Sequence, residues 1–315
     1  MQRILQPGDI ESLDRTNPQR IRLPLPVQLF AERAARLEQK ADGNPIADYL
    51  RFVAQIVRAQ QKAAASVQTA APDADLIAQA QEHSMPLLPA ASHIDPVWQD
   101  VLMQLLDALD HAEHVPEAVQ PTLQSLRTMS AEERDTLARR VLVGLLTDSA
   151  DLAAAPVVMA ALQVTFADRA SRLQESDVPY TDPASICPVC ATAPVASVIR
   201  IGGRDAGLRY LHCGTCATEW HMVRVKCSHC ESTKGVRYQK VDGGDETVLA
   251  ETCDVCHTYR KITNQEKDPF AEPLADDLAT LMLDLLMSET DFARASINPL
   301  LPMAETDATP DDHNA

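Results

Sequence analysis

Cys187-Pro-Val-Cys190, Cys213-Gly-Thr-Cys216, Cys227-Ser-His-Cys230 and Cys253-Asp-Val-Cys256 hold all eight cysteines of this 315-residue chain. The first two pairs are 22 residues apart, as are the last two, and the second copy follows the first at an offset of 40. A C-x-x-C turn sets two sulfurs on one side of a tight backbone knuckle. Two such knuckles brought together make a tetrahedral four-sulfur site suited to Zn2+ or to a single iron ion. The spacers agree with this. Gly202-Gly203 in the first copy aligns with Asp242-Gly243-Gly244 in the second, and Asp205 aligns with Asp245; these are turn residues in mid-spacer. Val198, Ile199 and Ile201 precede the first turn, and Leu208, Tyr210 and Leu211 follow it. Tyr238 and Val241, then Val248 and Leu249, flank the second. Both flanks read as short strands. Each unit is thus knuckle, strand, turn, strand, knuckle, as in a zinc ribbon or a rubredoxin-like site.

Three other readings of the cysteines fit less well. Disulfides need an oxidising compartment, and the chain opens Met1-Gln-Arg-Ile-Leu-Gln-Pro-Gly-Asp9 with no basic segment ahead of an apolar run. Dithiol exchange needs one C-x-x-C at a helix start in a βαβ setting, not four evenly spaced ones. Pairing Cys213/Cys216 with Cys227/Cys230 leaves the outer pairs to meet across a long span. His212, His221, His229 and His257 crowd the knuckles, but a ligand role for any of them displaces a cysteine from a complete set, so they read as neighbours of the metal rather than ligands. Ala191, Ala217, Glu231 and His257 follow the second cysteine of each pair, where many ribbons carry glycine.

The chain carries a net charge of −17, which argues against a general nucleic-acid binder. Residues 181–268 are balanced, with 11 Lys/Arg and 11 Asp/Glu. Arg200, Arg204, Arg209, Arg224 and Lys226 form at most a small basic strip, and aromatic residues are 4% of the chain, too few for a stacking platform. No stretch of some 18 apolar residues suggests a membrane span.

Residues 1–180 read as a helical domain. Asn44-Pro45 and Asp95-Pro96 are start signals ahead of apolar residues at helical spacing. Ser130 and Glu133 form a capping box. Residues 152–166 are apolar nearly all round, as in a buried central helix. The stretch from Ala63 to Gln81 is helix or connector. Residues 181–226 and 227–268 are the two metal ribbons. Glu272-Pro273 opens a C-terminal helix, within 269–302, with Leu274, Leu278, Leu281 and Leu285 on one face packing back onto the rest. The acidic tail 303–315 reads as disordered. The fold class is therefore α+β: an all-helical N-terminal domain, two tandem rubredoxin-like or zinc-ribbon modules, and a helix that packs back. No phosphate loop, nucleophile elbow or H-E-x-x-H is present, and closed four-cysteine sites leave no open coordination position, so the chain does not read as an enzyme.

Gly207-Leu-Arg-Tyr-Leu-His-Cys213 and Glu219-Trp-His-Met-Val-Arg-Val-Lys-Cys227 resemble the FdhE family of formate dehydrogenase accessory proteins. So do Ile186-Cys-Pro-Val-Cys190, Lys267-Asp-Pro269, Ala275-Asp-Asp-Leu278 and Ser296-Ile-Asn-Pro299. The resemblance runs in order from about residue 180 to 302. It implies a cytoplasmic maturation factor that binds the catalytic (alpha) subunit of a respiratory formate dehydrogenase, a molybdenum enzyme exported in folded form. It also implies two mononuclear metal ions per chain, each held by four cysteines, with iron favoured and zinc as the alternative. Arg209, Trp220, Arg224 and Lys226 flank the knuckles and are expected to face this partner, since arginine and tryptophan are common interface anchors. Alternative roles are a rubredoxin-like electron carrier for that partner, or a zinc-ribbon adaptor of nucleic-acid machinery. The oligomeric state is not set by the sequence.

Overall fold

The computed structural model describes residues 18–241 and 246–301, except for the side chain of Arg204. The turn Asp242-Gly243-Gly244 and the tail 303–315 lie outside the described residues. Among the described residues seven α-helices form the N-terminal half: α1 (Pro26–Ala41), α2 (Ala47–Ala64), α3 (Ala74–Glu82), α4 (Trp98–Asp110), α5 (Gln120–Thr128), α6 (Ala131–Val143) and α7 (Ser149–Ser171). The centre is α7. It is apolar on all sides because α2, α4 and α6 pack around it. By length and composition it could cross a membrane, yet 83% of its most apolar window is buried inside the protein. The capping box at Ser130 forms as expected, with Glu133 N–H donating to Ser130 Oγ (3.2 Å) and Ser130 N–H donating to Glu133 Oε2 (2.7 Å).

Two helix starts fall two residues late. Asn44 Oδ1 accepts from Ile46 N–H at 3.1 Å, and Asp95 Oδ1 from Val97 N–H at 3.1 Å. These local turns use the side chains before the helix begins, so α2 and α4 open at Ala47 and Trp98. The stretch 63–81 resolves into both options: α2 ends at Ala64, and α3 opens on Asp73, whose carboxylate caps Leu76 N–H at 2.7 Å.

The second half is one sheet rather than two free-standing ribbons. Its strands are β1 (Ile21–Arg22), β2 (Pro194–Ile199), β3 (Arg209–Cys213), β4 (Glu219–His221), β5 (Val236–Gln239), β6 (Val248–Cys253), β7 (Thr258–Asn264) and β8 (Ala293–Arg294). The order is β1-β4-β3-β2-β7-β6-β5, with β8 on β7. Within each unit the strands pair antiparallel, as expected. The units join through a parallel pairing of β2 with β7, Ser197 opposite Ile262 and Ile199 opposite Asn264.

The C-terminal segment packs back, but as two helices, α8 (Pro273–Ala279) and α9 (Leu281–Ser288). The cause lies on β7. Buried Lys261 sends its ammonium to the carbonyls of Asp277 (2.7 Å) and Thr280 (3.0 Å), and the helix breaks at Thr280 (φ −114°, ψ 38°). Leu274 and Leu278 are buried as predicted. After the break the register changes: Leu285 is 62% exposed, and Leu283 and Met287 are buried in its place against Val248, Ala250 and Tyr259.

Buried ion pairs lock these layers. Arg33 and Arg36 of α1 reach Glu272 (2.9 Å) and Asp276 (2.8 Å), and Arg36 also reaches Asp268 (2.6 Å). Asp277 holds Arg294 (2.5 Å) and accepts from Asn298 Nδ2 (2.8 Å). The residues of Lys267-Asp-Pro269, Ala275-Asp-Asp-Leu278 and Ser296-Ile-Asn-Pro299 thus hold the C-terminal helices to the sheet and to α1.

Candidate metal centres

The sulfurs of Cys187, Cys190, Cys213 and Cys216 lie within 4.8 Å of one another, and so do those of Cys227, Cys230, Cys253 and Cys256. This is the sequential grouping that the spacing favours. In the first group Cys187 Sγ lies 3.5 Å from Cys216 Sγ, and Cys190 Sγ 3.3 Å from Cys213 Sγ. The matching distances in the second group are both 3.8 Å. A tetrahedron with metal–sulfur bonds of about 2.3 Å has edges of about 3.8 Å, so both groups fit one small metal ion. Burial pushes the Cys187 and Cys216 thiols well above their ordinary range. A buried set of four thiolates therefore needs a cation's charge to form.

Each knuckle closes in the same way. Backbone N–H groups of Cys187, Cys213 and Cys227 donate to the carbonyls of Thr192, Thr218 and Ser232 at 2.9, 3.0 and 2.8 Å. Cys253 and Thr258 are strand partners. The residue after each second cysteine sits in the left-handed region: Ala191 (φ 66°), Ala217 (57°), Glu231 (62°) and His257 (52°). The missing glycines change the cost, at roughly 1–2 kcal/mol per residue, and not the shape.

Four hydroxyl residues were not singled out by the sequence reading. Thr192, Thr218, Ser232 and Thr258 each stand two places after a second cysteine, and that regularity is visible in the sequence. Thr192 Oγ1 lies 3.1 Å from both Cys190 Sγ and Cys213 Sγ. Thr218 Oγ1 is 3.2 Å from Cys216 Sγ, and Thr258 Oγ1 3.1 Å from Cys256 Sγ. Ser232 departs from the pattern, its hydroxyl accepting from Lys234 N–H at 3.1 Å. Thr215 and Cys216 N–H donate to Cys213 Sγ, and His229 N–H to Cys227 Sγ, all at 3.4 Å. Gln163 of α7 donates to Gly214 O at 2.6 Å and ties the first site to the helical core.

The two sites differ in exposure. All four cysteines of the first are buried. In the second, Cys227 and Cys253 are buried, Cys256 is half-buried and Cys230 is exposed.

Among the described residues no histidine joins either sulfur cluster. His212 Nδ1 lies 2.8 Å from Glu219 Oε1, and its Nε2 lies 3.4 Å from Arg33 Nη2. Glu219 also pairs with Arg200 and, at 3.5 Å, with Arg22. Burial raises the Glu219 carboxyl, but Arg200 and His212 outweigh it and hold it down at about 2. A depressed folded-state value favours folding above the unfolded value and loses that contribution as pH falls through the folded one. Glu219→Gln is therefore expected to cost about 3 kcal/mol at pH 7, with the gap to wild type closing between about pH 4.5 and pH 2. Urea unfolding of both proteins across that range checks this; a gap independent of pH contradicts it.

Two residues expected at a partner interface are used inside the molecule. Arg209 is 1% exposed. It pairs with Glu251 and donates to the carbonyls of Met222 (3.2 Å), Val223 (2.9 Å) and Lys226 (2.6 Å), pinning the segment that joins the two units. Trp220 is 5% exposed, with its indole N–H on Ala184 O at 2.8 Å. A lone ribbon would show both faces of β3 and β4, whereas here both strands are interior to a wide sheet. Arg224 and Lys226 do lie at or near the surface, Arg224 on Gly207 O (2.6 Å) and Lys226 on Glu231 (2.6 Å). Beside them a groove of about 460 Å³ opens on the sheet, floored by Ile199, Leu249 and Ile262 and walled by Val225, Tyr238 and Arg224.

Sequence profiles of three FdhE regions match this chain: the N-terminal region over residues 18–182, the central domain over 186–224 and the C-terminal domain over 225–301. Among curated relatives, the "Protein FdhE homolog" of Edwardsiella ictaluri is 41% identical over 283 residues, covering 89% of this chain and 90% of its own. The homolog from Cronobacter sakazakii is 39% identical over 314 residues, covering 95% and 97%. "Protein FdhE" of Escherichia coli is 40% identical over 281 residues, covering 87% and 88%. The crystal structure of the FdhE protein from Pseudomonas aeruginosa superposes with a TM-score of 0.79 at 36% identity, over 90% of this chain and 98% of that one.

Proposed function

The chain belongs to the FdhE family, and on that premise we propose that it is a cytoplasmic, non-enzymatic accessory factor that binds the catalytic subunit of formate dehydrogenase. Each four-cysteine group holds one metal ion in this reading, iron or zinc. One observation carries it: both cysteine groups have the closed, four-sulfur geometry of a structural or electron-transfer site. The partner-binding surface is the groove beside the second site. Residues 222–240 contain five basic residues (Arg224, Lys226, Lys234, Arg237, Lys240) against one acidic residue, Glu231, in a chain of net charge −17. Val223, Val225 and Tyr238 are exposed there. Apolar side chains beside Arg224, which lines the groove, suit a partner segment that is apolar with an acidic residue.

The electron-carrier reading has one observation in its favour. Exposed Cys230 brings the second site to the surface, where electrons can enter and leave.

Pull-down of the catalytic subunit tests the surface. Val225→Asp, or Arg224→Ala with Lys226→Ala, is expected to weaken capture by roughly tenfold, a loss of about 1–2 kcal/mol, with metal content unchanged. Equal capture by the variants removes the groove from the account. Absence of capture by the wild-type chain removes the partner.

A further inference from the structure

The two units share one plan, and among the cross-strand pairs that differ between them one lies beside the second cysteine group. In the first, Leu211 of β3 stands opposite Trp220 of β4. Forty residues on, Glu251 of β6 stands opposite Arg260 of β7. An apolar pair in one unit is replaced by two oppositely charged residues in the other.

Arg260 is 3% exposed, and its guanidinium hydrogen-bonds to neutral oxygens. Nε donates to Ser228 Oγ at 3.1 Å, inside the knuckle between Cys227 and Cys230. Nη1 donates to Ser296 Oγ at 2.5 Å and to the Pro194 carbonyl. Glu251 gives one carboxylate oxygen to Arg209, and its other oxygen has no hydrogen-bond partner among the described residues. Two buried guanidiniums thus share one carboxylate, which leaves one positive charge in excess beside the second cysteine group. A buried cation is costly without a compensating anion. Burial pushes the Arg260 guanidinium down to about 10, with Glu251, Cys227 and, more weakly, Asp277 acting against that shift and Arg209 adding to it. Four thiolates around a divalent ion carry a net charge of −2 and would supply the missing anion.

We propose that Arg260 is the counter-charge of the second four-cysteine site, stabilising its anionic metal–thiolate complex. This rests on the reading that the cysteines hold metal. The second site is also the more open to solvent and chelators, because Cys230 is exposed while the first site is fully covered.

Release of zinc from the zinc-loaded full chain into a chromogenic chelator tests the proposal. The wild-type chain is expected to lose one zinc quickly, from the second site, and one slowly. Arg260→Gln should speed the fast phase by roughly tenfold and leave the slow phase unchanged. Arg260→Lys, which keeps the charge, and Ser228→Ala, which removes only a hydrogen bond, should stay within about twofold of wild type. An unchanged fast phase in Arg260→Gln overturns the proposal. So does Arg260→Lys releasing as fast as Arg260→Gln, which assigns the residue to hydrogen bonding, and so does equal acceleration of both phases. If Arg260→Gln does not fold, the Lys variant decides alone: tenfold faster release overturns the proposal, and wild-type release supports it. A wild-type chain that binds neither zinc nor iron at its cysteines instead removes the metal reading itself.

Discussion

Cys213→Ser is expected to abolish the cooperative fold of the sheet, whereas Cys230→Ser is expected to cost one metal ion and leave the fold standing. Cys213 ends β3, is buried, and accepts from two backbone N–H groups with the Thr192 hydroxyl also at its sulfur. Its site belongs to the main core, beside Leu211, Trp220 and the helical layer. Losing one ligand there loses the metal and leaves three thiols buried without a cation. A structural metal site contributes on the order of 10 kcal/mol, comparable to the roughly 5–15 kcal/mol total stability of a domain. Cys230 sits at the surface of a knuckle whose neighbours are mostly exposed, so loss of the second ion frays a sheet edge. Thermal melts followed by circular dichroism, with metal counted per chain, separate the two. Equal damage from both substitutions would show that the sites are energetically alike.

Asp277→Ala should destabilise the fold by about 3–5 kcal/mol. Asp277 is fully buried, binds Arg294 through both oxygens at 2.5 and 2.7 Å, accepts from Asn298 Nδ2 at 2.8 Å and lies 3.7 Å from the Lys261 ammonium. Its removal leaves buried Lys261 and half-buried Arg294 with Asp284 as their remaining carboxylate partner. The exposed Arg237–Asp254 pair is the control, since Asp254→Ala there should cost less than about 1 kcal/mol. Urea unfolding of both variants measures the contrast. A loss below about 1 kcal/mol for Asp277→Ala would mean that packing, not this network, holds the C-terminal helices.

The sites themselves were legible because their chemistry is local and repeated. Knuckle spacing, the 40-residue offset and the Ser130–Glu133 box each depend on residues a few places apart. What the sequence did not reveal has a common cause, which is contact across long stretches of chain. The parallel pairing of β2 with β7 merges two ribbons into one sheet and buries Arg209 and Trp220 within it. The break in the last helix comes from Lys261, on another element altogether. The threonines beside the sulfurs are a different case. Their place two residues after a second cysteine is plain in the sequence, and their role emerges once the knuckle's backbone turn is known.

X-ray absorption at the edge of whichever metal co-purifies, with metal counted per chain, tests the central claim most directly. The account predicts two ions per chain and a shell of four sulfurs at about 2.3 Å with no nitrogen or oxygen. A nitrogen or oxygen in that shell, or eight cysteines recovered as disulfides with no metal, would contradict it.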